Sequence, residues 1–195
     1  MSAALILPLG ACSTSWKVDY DQPVPAEVSR GWTVVDVVAV APERLTVSES
    51  NFFAPNADIV WHGDEFGDRR AQVAAIVDEG ISQGASELKG PRGVTITARI
   101  ETFHGVTPSA VARAPSAVHN IEYVVQVLDA NTGQALTEPQ RINADLEANV
   151  GAAAIAAAIN GQTQKRRITD HIARVTRGWL GFGPDQRRTF AGLGR

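Results

Sequence analysis

Residues that could take part in catalysis or metal binding are scattered along this 195-residue chain. The histidines do not form a His-x-x-x-His pattern and the single cysteine cannot form a Cys-x-x-Cys motif, although common metal sites use these spacings. The four histidines are His62, His104, His119 and His171. The serines, Ser109 and Ser116 among them, lie in loop or cap contexts and do not indicate a nucleophile. We therefore expect no cofactor, no metal ion and no enzymatic activity.

Two pairs of neighbouring acids are the remaining candidates for acid–base chemistry. They are Asp64 with Glu65 and Asp78 with Glu79. Adjacent residues of a helix point in different directions, so the two carboxylates of a pair cannot act together. Both pairs are therefore predicted to be solvated surface charges.

The charge of the chain argues against binding to nucleic acid. The formal net charge is -3, whereas nucleic-acid-binding proteins usually carry a strong positive charge or a basic stripe. The charges are nevertheless uneven, because residues 165–195 contain eight basic residues and only two acidic ones. The carboxyl-terminal part of the chain is therefore a basic segment on an acidic protein.

Five basic residues of this segment form a candidate binding surface. They are Lys165, Arg166, Arg167, Arg174 and Arg177. Such a surface could bind an anionic lipid or glycan, since each cation near an anionic membrane surface contributes about 1 kcal/mol. A solvated helix face explains the same residues, and the sequence leaves both interpretations open.

The single cysteine predicts a lipid anchor. A short apolar run ends in Leu9-Gly10-Ala11-Cys12, and this segment resembles the lipobox of bacterial lipoproteins. The resemblance implies that residues 1–11 are a signal peptide and that Cys12 carries lipid and attaches the protein to a membrane. In such proteins an Asp after the cysteine favours the inner membrane. Ser13 stands here, so the resemblance implies the outer membrane and a periplasmic domain.

Composition divides the mature chain into three parts. Residues 12–29 are polar and contain two prolines, which predicts an extended, lipidated tether. Residues 30–181 are predicted to form a single globular domain. Residues 182–195 are rich in glycine and arginine and are predicted to be a flexible tail.

Hydrophobic periodicity predicts the elements of the domain. Strands are expected at 31–41, 94–100, 118–128 and 134–147, and amphipathic helices at 68–88 and 162–180. Residues 151–159 (GAAAIAAAI) fit a helix or a linker equally well. This order predicts an α+β fold in which an antiparallel sheet of about four strands packs one face against two helices.

Several segments together resemble an uncharacterised family of alphaproteobacterial lipoproteins. They are Asp58-Ile-Val-Trp61, Gly67-Asp-Arg69, Ala71-Gln-Val73, Ala75-Ile-Val77 and Thr163-Gln-Lys-Arg-Arg-Ile-Thr-Asp-His171. The resemblance covers nearly the entire chain but carries over no catalytic residue. We expect a non-enzymatic accessory domain that binds an envelope protein, with an anionic envelope ligand as the alternative.

Overall fold

The computed structural model describes residues 14–192, and Cys12 lies outside this range. The strands are β1 (Thr14–Tyr20), β2 (Trp32–Val40), β3 (Val47–Ser48), β4 (Ile59–Val60), β5 (Arg92–His104), β6 (Ala117–Asp129), β7 (Gln140–Ala144), β8 (Leu146–Ala148) and β9 (Arg188–Gly192). The helices are α1 (Ala26–Ser29), α2 (Arg69–Ala85), α3 (Pro108–Arg113), α4 (Gly151–Ile159) and α5 (Gln164–Trp179).

The two longest strands, β5 and β6, form an antiparallel pair in the middle of the sheet. The strand order is β3-β4-β5-β6-β7-β1-β9, with β2 also beside β5 and β8 also beside β6. Side chains of β5 alternate, so that Val94, Ile96, Ala98 and Ile100 are buried. The helices α2 and α5 cover this buried face, as the sequence predicted for a sheet with one wet face.

The sheet is larger than predicted, and it is mixed. The described residues contain nine strands where about four were expected, and β2, β3 and β4 are all in parallel pairings. The parallel pairing of β2 with β5 has a simple cause. Helix α2 lies between them in the sequence and returns the chain to the same end of the sheet before β5 begins. The prediction of a wholly antiparallel sheet was therefore wrong.

The predicted tether is partly a strand of the sheet. Trp16, Val18 and Tyr20 are buried, and β1 pairs with β7 on one side and with β9 on the other. These three residues alternate with polar ones, which is the period of a half-buried strand. The prolines at 23 and 25 suggested a loose segment, but they lie beyond the end of this strand. The extended-tether prediction was wrong for residues 14–20 and for α1.

The predicted flexible tail is also partly ordered. Residues 188–192 form β9 on the edge of β1. The loop before β9 is held by Tyr20, whose hydroxyl donates to Asp185 at 2.9 Å, while Arg187 pairs with the same carboxylate at 2.7 Å. Glycine and arginine content suggested disorder, but pairing with β1 supplies the backbone hydrogen bonds that the segment lacks on its own.

Residues 151–159 form helix α4, which settles the alternative that the sequence left open. Gly151 begins the helix at a φ of +55°, a conformation that favours glycine. None of the nine residues of α4 is buried. The described part of the chain contains no helix long and apolar enough to cross a bilayer.

The helices α2 and α5 approach each other closely at two glycines of α2. A Cβ atom on Gly84 would lie 2.6 Å from the Ala173 carbonyl oxygen and 2.7 Å from the Thr176 Cβ. A Cβ atom on Gly80 would lie 2.7 Å from two side-chain atoms of Ile172. The glycines that weaken the helix in sequence therefore allow the two helices to pack.

We predict that Gly84→Ala destabilises the protein, although alanine is the better helix former by about 1 kcal/mol. The added methyl group meets the backbone of α5, so the free energy of unfolding should fall by about 1–3 kcal/mol. Urea denaturation measures this change. Gln83→Ala, at an exposed position of the same helix, is the control and should change stability by less than about 0.5 kcal/mol. A more stable Gly84→Ala variant would contradict the close packing.

Candidate interaction surfaces

The structure disperses the cationic surface predicted on α5. Three of its five cations form ion pairs: Lys165 with Asp64 at 2.8 Å, Arg166 with Asp170 at 3.0 Å and Arg177 with Glu87 at 2.7 Å. Lys165 lies in the first turn and Arg177 in the last, so about 18 Å of helix separates them. The five residues therefore do not converge on one site.

Arg167 and Arg174 are the two cations of this set without an ion pair among the described residues. Arg167 is half-buried and donates to the Glu147 carbonyl oxygen at 2.8 Å. Burial, together with the nearby charge of Arg174, lowers the pKa of Arg167. Arg174 itself is exposed.

A second surface, which the sequence analysis did not identify, lies at one end of the sheet. Here α4 and the loop before β4, which lie beside α3, expose large apolar side chains: Phe52 (72%), Phe53 (50%), Ile155 (65%) and Ile159 (81%). We call these four residues the apolar end. The all-apolar sequence of α4 was the available signal, because a helix without a polar face is expected to be covered by something apolar.

Hydrogen bonds to α3 hold the aromatic part of the apolar end in place. The Thr107 hydroxyl caps α3 by accepting from Ala110 N at 3.2 Å and donates to the Phe52 carbonyl oxygen at 2.7 Å. Asn51 accepts from Ser109 N at 2.8 Å. The loop that carries Phe52 is therefore fixed at both sides, and Phe52 is exposed although its backbone is well held.

A partly buried polar network fixes the neighbouring loop to both long helices. Asp64 accepts from Trp61 Nε1 and from Lys165 Nζ, each at 2.8 Å. Burial opposes ionisation of Asp64, but hydrogen bonds from Lys165 and Trp61 outweigh it and lower its pKa. Arg69 is almost fully buried, pairs with Glu49 at 2.7 Å and donates to the Asp64 carbonyl oxygen. Lys165 and Asp64 are thus structural partners.

Two mainly apolar cavities lie beside α3. One has a volume of about 340 Å³ and lies between Val111 of α3, the inner side of α4 and the first turn of α5. The other, of about 290 Å³, is bounded by Phe53, Val106, Ala110 and Val118. Apolar cavities of this size are typical of binding sites for small molecules or for single anchoring side chains.

A third surface is the free edge of β2. In the part of the chain that the structure describes, β5 is the only strand that pairs with β2. Val35, Val38 and Val40 are exposed on β2 and define the surface that we call the β2 edge. A groove of about 190 Å³ runs between β2 and α2. It is lined by Val34–Val37 of β2 and by Asp78, Ser82 and Ala85 of α2.

α2 contains a serine motif that the sequence analysis did not identify. Gly80, Ser82 and Gly84 have the spacing of Gly-x-Ser-x-Gly, which in hydrolases forms a turn between a strand and a helix. In this structure the motif lies inside α2, and its glycines serve the contact with α5. Ser82 is exposed on the opposite side. The context of a nucleophilic serine is therefore missing, and the motif has a packing role.

The histidines do not converge on a metal site, and the described residues contain no cluster of three or more metal-ligating side chains. His119 and His171 are buried near one another, and neither ring nitrogen of His119 has a hydrogen-bond partner within residues 14–192. His171 hydrogen-bonds the main chain of Asp145. Burial lowers the pKa of His119 to about 3 and that of His171 to about 4.

Neighbouring cations further oppose protonation of these two histidines. Arg167 acts on both of them, and Arg174 and Arg188 act on His171. Because the folded-state pKa values are depressed, the unfolded chain binds more protons than the folded one below pH ~6.5. Stability should therefore be lost as the pH falls from about 6.5 toward 4, at up to about 1.4 kcal/mol per pH unit for each imidazole.

We predict that His119→Leu and His119→Gln both reduce this slope by removing one titrating group. The leucine variant should also be at least as stable as the original protein at pH 7, because it removes an unpartnered buried polar group. Urea denaturation between pH 7 and 4.5 measures both effects. An unchanged slope in both variants would show that His119 is not a buried neutral imidazole.

Comparisons with known proteins give a family but no function. A search of curated proteins found no match. Among solved structures, a candidate lipoprotein from Caulobacter crescentus CB15 is 14% identical, with 55% of this chain and 83% of that chain covered and a TM-score of 0.35. A variant PelC dodecamer from Paraburkholderia phytofirmans is 11% identical, with 86% and 97% covered and a TM-score of 0.39. Both TM-scores are too low to carry an argument.

The family predicted from sequence resemblance is confirmed at the level of a domain without known function. The model of a family of unknown function (DUF6778) matches residues 32–195, which include all of the structure from β2 onward. The chain therefore belongs to this family.

Proposed function

We propose that this chain is a lipid-anchored protein of the bacterial cell envelope and that its domain binds a protein partner without catalysing a reaction. The lipobox-like segment that ends in Cys12 supports lipid attachment at this residue, and Ser13 after it supports the outer membrane as the location. The unpaired side of β2, with its exposed valines, is the observation that supports a protein partner most directly.

A free edge strand is a surface that proteins normally protect. It presents unpaired N–H and C=O groups, which can pair with a strand of another chain. The β2 edge has three exposed valines, which favour strand pairing and give an added strand apolar contacts. Partial protection comes from a bulge between Val34 and Asp36 and from Asp78, whose carboxylate accepts from the Ala39 N–H. The rest of the edge is available.

The neighbouring groove favours an extended peptide over a compact ligand. It follows β2 from Val34 to Val37 and is bounded by α2 on its other side. An added strand would pair with the backbone of β2 and place alternate side chains into this groove. Asp78 and Ser82 on the groove wall would then contact polar side chains of the partner.

We predict that the protein in its native membrane begins at Cys12 and carries added acyl mass. Each buried methylene of an acyl chain contributes about 0.8 kcal/mol, so two or three chains hold the protein firmly. Intact-mass spectrometry of the detergent-extracted protein measures the modification. The Cys12→Ser variant should be released into the soluble fraction. An unmodified protein in native membranes would refute the anchor.

We predict that charge on the β2 edge abolishes partner binding. Val35→Lys combined with Val38→Lys places two cations on exposed positions, where they should leave the fold intact and oppose strand addition. The measurement is quantitative mass spectrometry of proteins that copurify with the gently solubilised lipoprotein, with the Cys12→Ser form as background.

The matched control carries the same charges elsewhere. Ile155→Lys with Ile159→Lys changes two exposed residues of α4 and should retain the partner. A stoichiometric partner that survives the β2 substitutions and is lost in the control would move the binding site away from β2. If neither variant changes the copurifying proteins, the proposed binding site is wrong.

A further inference from the structure

The first described residue lies at the same end of the molecule as the apolar end. β1 starts there at Thr14, which pairs with Gly192 at the end of β9. β6 also starts at this end, and β5 finishes there, because the two strands are antiparallel and His104 pairs with Asn120. α3 connects β5 to β6 at this end, and α4 follows β8, which pairs with the first residues of β6.

The proposed anchor at Cys12 is therefore tethered by a very short piece of chain to the start of β1. Only Ser13 stands between Cys12 and Thr14, and two steps of extended chain span at most about 7 Å. A Cβ atom on Gly192 would lie 2.9 Å from Val118, which also borders the apolar cavity beside Phe53. Ala191, Gly192 and Ala153 of α4 line one shared hollow. The start of β1 is thus next to the apolar end.

The composition of this end is unusual for a surface in water. Its three segments, 51–57, 105–116 and 149–164, contain a single charged residue, Arg113. A protein surface exposed to water normally has about a quarter to a third of its residues charged. Helix α4 contains only glycine, alanine and isoleucine, and none of its residues is buried. An apolar phase outside the protein would therefore be a favourable environment for α4.

We infer that the apolar end rests on the lipid bilayer, with Phe52, Ile155 and Ile159 in the interfacial region beside the acylated Cys12. This inference rests on the proposed lipid anchor. An anchor at Cys12 keeps the apolar end within a short distance of the membrane and so raises its effective concentration at the membrane surface. Apolar side chains on a short helix lie in the interface by burying their area among the acyl chains.

The charges around the apolar end match a membrane with anionic headgroups. Arg113 is exposed, and its guanidinium group lies over the Phe53 ring at 5.6 Å from the ring centroid. Arg166, at the exposed start of α5, adds a second cation at this end, partly balanced by Asp170. Both are placed where they can contact phosphates while the phenylalanines and isoleucines enter the apolar layer.

The placement also orients the rest of the domain. β2 is parallel to β5, so its Val40 end points toward the membrane and its Trp32 end away from it. The β2 edge would then stand to the side of the contact and stay accessible to a protein partner. The two surfaces can therefore be occupied at the same time.

A single-thiol label tests the contact. Acylation blocks the only native cysteine, so Ile159→Cys in the lipidated protein provides one free thiol for the environment-sensitive fluorophore NBD. The labelled protein is reconstituted into vesicles of phosphatidylethanolamine and phosphatidylglycerol. We expect blue-shifted emission, a several-fold rise in intensity and quenching by nitroxide-labelled lipid. Val35→Cys, on the β2 edge, is the matched control and should emit as in water.

The outcomes separate the inference from the proposed anchor. Intact mass shows independently whether Cys12 carries lipid. An NBD probe at residue 159 that remains in water on the vesicle-bound, lipidated protein overturns the membrane contact and leaves the anchor in place. A probe that is shielded only when a copurifying protein is added also overturns it and assigns the apolar end to a protein partner.

A second measurement does not depend on the label. The soluble Cys12→Ser form should bind the same vesicles weakly, and Ile155→Ser with Ile159→Ser should lower that binding by about tenfold or more. Val35→Ser with Val38→Ser should leave it unchanged. Equal vesicle binding by the two double variants would contradict the inference.

Discussion

The antiparallel pairing of β5 with β6 is the constraint on which the other features depend. It runs from Val94 and Asp129 at one end to His104 and Asn120 at the other. The remaining strands extend the sheet outward from β5 or from β6, either directly or through another strand. Because the chain leaves β5 and enters β6 at the same end, the intervening α3 must lie there. β8 pairs with the first residues of β6 and delivers α4 to the same place. The apolar end is thus a consequence of how two strands pair.

The two long helices make this arrangement rigid. Gly80 and Gly84 let α2 approach α5, and the packed pair covers the buried face of the sheet. At the start of both helices, Asp64 joins the neighbouring loop to Lys165. Because Lys165 is paired with Asp64, the positive charge of α5 is not all available to bind an anionic ligand.

Some of this organisation was predictable from sequence, since the periodicity of the long segments identified α2, α5, β2, β5 and β6. The errors have physical causes. β1 has the alternation of a half-buried strand but is followed by two prolines, and β9 has few apolar residues. Both pair with strands that are distant in sequence. The parallel placement of β2 depends on α2 as a crossover, which local patterns do not encode. The apolar end was not predicted because its three segments are far apart in the sequence and come together only in the fold. The one available signal was the unbroken apolar run of α4.

The arrangement that we propose has an anchor at Cys12, an apolar end on the membrane and a free β2 edge that binds a protein. Amide hydrogen–deuterium exchange tests this arrangement most directly, by comparing the lipidated protein in native membranes with the soluble Cys12→Ser form. The account predicts slower exchange of residues 105–116 and 150–163 on the membrane, together with slower exchange in β2 that disappears when the partner is removed by washing. Equal exchange of α4 in the two forms would contradict it.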